Sequence, residues 1–434
     1  PGRRGAAGAA AAGGGPPVPP VPLPRGARVA TSGGARPMAG QMPTARHIAM
    51  IGCTTPSHVH PSLGVIAELV RRGHRVGYAI GDRLAGLVAP TGVEPVTFAS
   101  TLPAEDDEWP DNPIAELDTH MFLNEGIASL PRLLDHFTAD PPDLVIHDIA
   151  ALAGPVLGAR LGVPTVLLSP TWMPWEGFEA ENAPMLRPPR TSPAGLGYHA
   201  AYGDWLRGQG IDRDAWEWMT AAVPAVCLIP SVLQPQLHRV RPTVRFVGPC
   251  LDPARLAAQS WAPPPNRRRV LLISLGTVFN DRPDIYRAAA AAFAETDWHV
   301  VMAVGRRVDP AGLGPLPVNV EAHRSVPQLG VLARASAFVT HAGMGSCVEA
   351  AWFGVPTVAI PLAAEQFGNA AILSALGISR QLLAQQVDPR LLRAEVEAVA
   401  TSPHIAQRLA LVRAALRSQG GIADAADAVA AHLP

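Results

Sequence analysis

The chain has no lysine. All 35 of its basic side chains are arginine, against 36 Asp and Glu, and the formal net charge is −1. A near-neutral chain without a polybasic block is not built for nucleic acid or an anionic membrane, so neither is expected as a partner. Cysteine is scarce: Cys53, Cys227, Cys250 and Cys347 stand far apart, with no CxxC or Cys/His spacing. That argues against a structural zinc site and against a disulfide framework. No apolar run reaches the roughly 18 residues that span a bilayer, and a cytoplasmic protein is the default expectation. A full GxGxxG is missing too. The turn IGCTTPSHVHPS has only Gly52, and the later Gly343–Met344–Gly345 lacks a third glycine. Nicotinamide hydride chemistry needs that fingerprint in its strand–turn–helix context, so it is set aside.

What is present is a long, apolar, weakly charged chain. Its 434 residues exceed one ordinary core, and 48% apolar with 16% charged content suits folded rather than disordered protein. The excess of Ala, Gly, Pro and Arg is that of a GC-rich bacterial coding sequence. Residues 1–42 are low in complexity and have no packing period, which predicts a disordered leader, with Met42 as a candidate natural start.

From His47 the pattern changes. HIAMIG reads as a strand, CTTPSHVHPS as a polar loop, LGVIAELVRRGH as a helix with Gly73 as its stop, and RVGYAI as a strand. PDLVIHDI, ALAGPVLGARLG and VPTVLLSP continue the alternation. A second block begins near Arg269: RVLLISLG, DIYRAAAAAFAE, HVVMAVG, VPQLGVLARA, SAFVTHAG, SCVEAAWFG, VPTVAIP and FGNAAILSALG. Strand–helix alternation implies parallel sheets. The expected fold is α/β, two facing Rossmann-like domains with an interdomain cleft. The boundaries expected are 43–250 for the first domain, 251–268 for a linker, 269–415 for the second domain and 416–434 for a C-terminal helix.

FVTHAGMGSCVEA has the makings of a diphosphate cradle. A strand delivers His341, Gly343 and Gly345 allow close backbone approach, and Ser346 with the free N–H groups of a new helix offers donors. Glu349, about one turn in, can accept hydrogen bonds from ribose hydroxyls. Taken alone, the segment reads equally well as an ordinary glycine-containing βα turn.

Its surroundings decide between these. SVPQLGVLARASAFVTHAGMGSCVEAAWFGVPTVAIPLAAEQFGN carries VPQ, THAG, GS, E, GVP, P and EQ in order. This resembles the donor-binding signature of the family 1 glycosyltransferases, UDP-sugar-dependent enzymes of the GT-B fold. It is most similar to the bacterial macrolide branch, which shares QFGNA. The likeness runs from about Arg46 onward and includes PSL, PDLVIHD and the strand ending SLG.

The resemblance implies roles. Gln328 and the Val326 backbone would contact ribose or base. His341, Gly345 and Ser346, with Thr277 after SLG, would hold the phosphates. Glu349 would hold the ribose, and Glu365 with Gln366 would read the sugar. Two positions of the donor signature depart from the pattern, and just before the catalytic base Ser57 stands where Gly is usual. Ser325 stands where an aromatic usually stacks on uracil, a platform typically worth about 1–3 kcal/mol per base, and Arg324 is the nearest candidate replacement. Glu365 stands where Asp is usual.

Glycosyl transfer to a hydroxyl needs a base, and His suits neutral pH. The family pattern places it at His58, with His60 second, and pairs it with Asp148 at the end of PDLVIHDI. In isolation His58 would be a loop histidine and Asp148 a helix N-cap. No DxD-type metal motif accompanies the cradle, so no metal and no tightly bound cofactor is expected. The diphosphate leaving group would rest on His341 and helix N–H groups.

The acceptor side is read from SPTWMPWEGFEAENAPM. Trp172, Met173, Trp175 and Phe178, with Met121 and Phe122 opposite, would line a broad apolar pocket, or would be plain core. The expected reaction is inverting transfer of a hexose, first of all glucose from UDP-glucose, to a hydroxyl of a macrolide or polyketide. A dTDP-deoxysugar donor is the alternative. A non-catalytic helper of another glycosyltransferase and a sugar-nucleotide epimerase are the competing classes. The oligomeric state expected is monomer or homodimer.

Overall fold

The computed structural model describes residues 45–105, 107, 109, 120–265, 269–363 and 365–434. The expected leader, 1–42, lies outside them.

Two all-parallel sheets organise the chain. The first has seven strands: β1 (His47–Ile51), β2 (Arg75–Gly81), β3 (Glu94–Phe98), β4 (Leu144–Asp148), β5 (Thr165–Ser169), β6 (Ala225–Cys227) and β7 (Val244–Phe246), in the order β3-β2-β1-β4-β5-β6-β7. The second has six: β8 (Arg269–Ser274), β9 (Trp298–Ala303), β10 (Val320–His323), β11 (Ala337–Thr340), β12 (Thr357–Ala359) and β13 (Ser379–Gln381), in the order β10-β9-β8-β11-β12-β13. The central strands are continuous apolar runs because helices cover both faces. In β1 all five residues are buried, and Ile48 pairs with Val76 on one side and Leu144 on the other.

Strand order reverses between β1 and β4 in the first sheet, and between β8 and β11 in the second. Ligand crevices of open parallel sheets form outside the carboxyl ends of the strands at such switch points. The four segments that carry the expected chemistry leave these four strands: His58 follows β1, Asp148 ends β4, Thr277 follows β8 and His341 follows β11.

The first βα connection differs from the expected loop. The helix begins at Pro56 and runs to Arg71, so His58 and His60 lie in its first two turns. Thr55 is the extended N-cap and Pro56 presets the first helical φ. Pro61 made this stretch read as loop, because it lacks the N–H that would reach the turn before it. The helix absorbs that loss. Gly73 sits at φ +93, the left-handed stop its sequence position predicts.

The halves are packed together. Leu167, Met173, Ala225, Cys227 and Leu233 from the first share one apolar cluster with Ala342, Met344, Cys347 and Val348 from the second. The C-terminal helix Gly421–Ala430 lies on the Pro56–Arg71 helix, with Ala425, Ala426 and Val429 in the first half's core. A Cβ on Gly64 would come within 2.5 Å of Ile422 Cδ1, so the crossing helix packs directly over this glycine and Ile422 would have to shift for a larger residue. The stretch between the halves is also packed. It forms a short helix, Pro253–Ala258, and Gln259 Oε1 then accepts the Leu329 N–H at 3.0 Å.

Candidate active site

The loop from β1 to the first helix is held by a buried acid. The Glu125 carboxylate accepts from Thr54 Oγ1 (2.9 Å), Ser100 Oγ (2.8 Å), the Thr101 N–H (2.6 Å) and Thr101 Oγ1 (2.9 Å). Removing such an anchor strands the buried Thr54 hydroxyl and three part-buried donors, which is costly. Thr54 in turn accepts the Gly81 N–H at 3.1 Å. This fixes where His58 emerges.

His58 Nδ1 lies 2.9 Å from Asp148 Oδ1, with side-chain exposures of 28% and 4%. The same carboxylate oxygen accepts the Ala150 N–H at 2.8 Å, which closes the turn after β4. Asp148 is therefore not the N-cap of the next helix, which starts at Ala153 after Leu152. Burial alone would pull the His58 pKa down. The charge and hydrogen bond of Asp148, joined by Glu365 from the other half, outweigh it and raise the pKa above its usual 6.5. With Nδ1 turned to a carboxylate, Nε2 is the nitrogen left for other work.

His60 is tuned the opposite way. Burial and the Arg255 guanidinium push its pKa down to about 4, against a smaller pull from Asp252. Its Nδ1 is buried and has no hydrogen-bond partner. Cys53 Sγ comes within 4.8 Å of the His58 and Asp148 ligand atoms, a grouping that could hold a metal ion. Burial and the Asp148 charge push that thiol's pKa well up, which keeps its proton on.

Across the cleft, β11 ends at Thr340 and the next helix runs Met344–Phe353 from Gly343 as N-cap, with no side chain capping it. Its first N–H groups are therefore free of side-chain acceptors. Ala342 has φ +63, an uncommon conformation for a residue with a Cβ. Thr340 Oγ1 accepts its N–H at 3.2 Å and Asn369 Nδ2 donates to its carbonyl at 3.0 Å, and this pair holds the turn. The half-buried His341 ring fills the space beside Gly276 and Gly343, where an added Cβ would lie 2.5 and 2.4 Å from Nε2. Burial pushes the His341 pKa down to about 4, opposed by a hydrogen bond to the Ser274 backbone, and its Nδ1 lacks a partner. Near neutral pH this ring can donate a hydrogen bond but brings no charge. Gly345 is exposed, open space surrounds its Cα, and Ser346 beside it is half-buried.

Glu349 is buried one turn further on. Gln328 Nε2 donates to its Oε2 at 2.6 Å and Arg255 Nη1 to its Oε1 at 2.8 Å. Val326 is half-buried against the second half's core, while Ser325 and Arg324 are exposed. Arg324 is held at the edge of its guanidinium. It donates to the Arg306 carbonyl at 2.8 Å and faces Asp309 at 3.6 Å. Glu365 is exposed toward His58. Gln366 is buried, and its amide oxygen is taken by the Leu362 and Ala363 N–H groups at 2.9 and 3.1 Å. Only its amide nitrogen is left to meet a ligand. Thr277 is exposed on a cavity of about 260 Å³ between the halves, lined also by Thr55, Arg83, Trp109 and Arg306.

The aromatic segment is partly core. Met173 is buried, its backbone paired with the Gln234 amide at 2.8 Å in both directions. Trp172, Trp175 and Phe178 form a half-buried cluster with ring centroids 4.9–6.1 Å apart. Met121 and Phe122 are half-buried in the first turn of the His120–Ala139 helix, where Phe122 lines a small crevice beside Cys53 and Glu125. Sequence reasoning missed Arg255 and Glu125. Both act through partners distant in sequence, and neither belongs to a recognisable motif.

Comparison with known proteins agrees with this architecture. Residues 209–409 match the family described as UDP-glucoronosyl and UDP-glucosyl transferase. The oleandomycin glycosyltransferase of Streptomyces antibioticus is 42% identical over 397 residues, 90% of this chain and 92% of that protein. The demethyllactenocin mycarosyltransferase of Streptomyces fradiae is 30% identical, over 95% of this chain and 90% of its own. The crystal structure of the glycotransferase of kitacinnamycin superposes with a TM-score of 0.82 at 37% identity, covering 90% of this chain and 99% of that one. Two facing parallel α/β halves and this level of kinship settle the class: the chain belongs to the UDP-glucuronosyl and UDP-glucosyl transferase family and is a hexosyltransferase of the GT-B fold.

Proposed function

We propose that this enzyme moves a hexose from a nucleoside diphosphate donor to a hydroxyl of a large apolar natural product of the macrolide or polyketide kind, with inversion. Glucose from UDP-glucose is the first choice of donor, and a dTDP-deoxysugar the second. The observation that carries the chemistry is the 2.9 Å His58–Asp148 pair, set at a switch point with Glu365 of the other half near enough to act on His58. The kinship with transferases named for oleandomycin and demethyllactenocin supports the acceptor class.

In the proposed reaction the acceptor O–H proton passes to His58 Nε2 as its oxygen bonds to the anomeric carbon. The bond from that carbon to the diphosphate breaks on the opposite side. Asp148 steadies the imidazolium, and the diphosphate leaves onto the N–H groups at Gly345 and Ser346, with His341 and Thr277 beside them. Glu349 and Gln328 hold the ribose, the Val326 backbone and Ser325 lie at the base, and Glu365 with the Gln366 amide nitrogen read the sugar. Trp172, Trp175 and Phe178, with Met121 and Phe122, face the acceptor, and Met173 supports them from the core. Neither metal nor bound cofactor takes part in this scheme. We divide the chain at 43–250, 251–268, 269–415 and 416–434. Among the described residues no helix is long and apolar enough to cross a membrane, and we assign the enzyme to the cytoplasm as a monomer or homodimer.

The test is incubation with UDP-glucose, or with dTDP-sugars, and a panel of hydroxylated macrolides and polyketides, read by mass. An added hexose on an acceptor is expected. Donor conversion without acceptor would replace the scheme with an epimerase. No turnover, with thermal stabilisation by a partner glycosyltransferase, would replace it with a helper.

A further inference from the structure

Glu349 poses a problem of selectivity. Its carboxylate is 6% exposed and has one protein donor on each oxygen, Arg255 Nη1 at 2.8 Å and Gln328 Nε2 at 2.6 Å. An ionised carboxylate accepts about four hydrogen bonds. About two acceptor positions remain, one on each oxygen, which is the requirement of a vicinal diol.

The Arg255 guanidinium comes from a braced element. Its helix, Pro253–Ala258, is capped by Asp252, which accepts the Ala254 N–H at 3.0 Å. The next turn is tied to the second half through Gln259 and the Leu329 N–H. Arg255 Nε is buried without a partner, and so is Nδ1 of His60, whose pKa this arginine depresses. Among the described residues no other hydrogen-bond acceptor competes for that end of the guanidinium, and Glu349 is its ion-pair partner.

We propose that Arg255 is a positioning residue that makes the site selective for ribonucleoside over 2′-deoxyribonucleoside diphosphates. This rests on the reading of Glu349 as the ribose ligand. A carboxylate that is free to swing would turn toward water when the 2′-hydroxyl is missing, and would lose little. A carboxylate clamped at both oxygens cannot turn. A 2′-deoxy ligand then leaves a buried acceptor unpaired, the situation that rejects a ligand lacking a hydroxyl most strongly. The linker between the halves thereby helps to choose the nucleotide.

Calorimetric titration of UDP and dUDP, which differ only in that hydroxyl, into the full chain tests this. The wild-type protein is expected to bind UDP at least about tenfold tighter than dUDP. Arg255→Met should bring the ratio close to one, mainly by weakening UDP, with the loss read in the donor KM more than in kcat. Arg255→Lys, which keeps the charge without the fork, should give an intermediate ratio, and it serves alone if Arg255→Met does not fold by circular dichroism. Glu349→Gln should also erase the ratio. A ratio kept in Arg255→Met but lost in Glu349→Gln would overturn the proposal and leave the ribose reading standing. A ratio absent from the wild type would overturn the proposal and favour the dTDP-sugar donor, and a ratio kept in Glu349→Gln would overturn both.

Discussion

His58 and His341 each follow a strand that flanks the switch point of its own sheet, β1 in the first and β11 in the second, yet their surroundings tune them in opposite directions. At the first turn the chain supplies side chains: a carboxylate on Nδ1 and a second acid across the cleft, which together raise the His58 pKa against its burial. At the second it supplies backbone: glycines, an uncapped helix start and a ring whose pKa burial lowers to about 4. The same residue type thus becomes a more basic imidazole in one half and a neutral ring in the other. Placement at a strand end does not decide which. A facing carboxylate does.

That contrast can be broken at either end. The largest effect is expected from His58→Ala, which should slow transfer about a thousandfold while UDP binds with unchanged affinity by calorimetry. A loss of UDP binding instead would move His58 out of the acid–base role. Gly343→Ala comes next. Its Cβ would meet the His341 ring at 2.4 Å, and overpacking costs about 1–3 kcal/mol. We expect about tenfold weaker UDP binding, with the pH dependence of transfer unaltered. The smallest change is expected from Ala342→Gly. Relief of a left-handed alanine, worth about 1–2 kcal/mol, is largely offset by glycine's greater chain entropy. Urea unfolding should shift by less than about 1 kcal/mol, and UDP affinity should not move.

The sequence exposes these two turns unequally. The central strands β1, β4, β5, β8, β9 and β11 are legible because burial on both faces makes them unbroken apolar runs. β3 (EPVTF), β7 (VRF), β10 (VEAH) and β13 (SRQ) are short and mixed in polarity, and they carry no such signal. The first helix is legible only from Leu63 onward, because Pro61 hides its first two turns, the ones that hold His58 and His60. The glycine-rich turn at His341 and the ends of β1 and β4 stand out as motifs. Arg255 does not. It sits in a Pro- and Arg-rich stretch that reads as a linker, 94 residues from the carboxylate it holds. Gln366 illustrates the converse. Its identity is plain in the sequence, but only the fold shows its amide oxygen closing the loop ahead of it.

The most direct test of opposite tuning is the pH profile of kcat/KM in the wild type and in Asp148→Asn. The base must be neutral to accept a proton, so transfer should rise with pH through the His58 pKa, with a midpoint above 6.5. Removal of the Asp148 charge should lower the rate and move that midpoint to lower pH, while His341, neutral above about pH 5, adds no limb of its own. An acid limb with the same midpoint in both proteins would contradict the account.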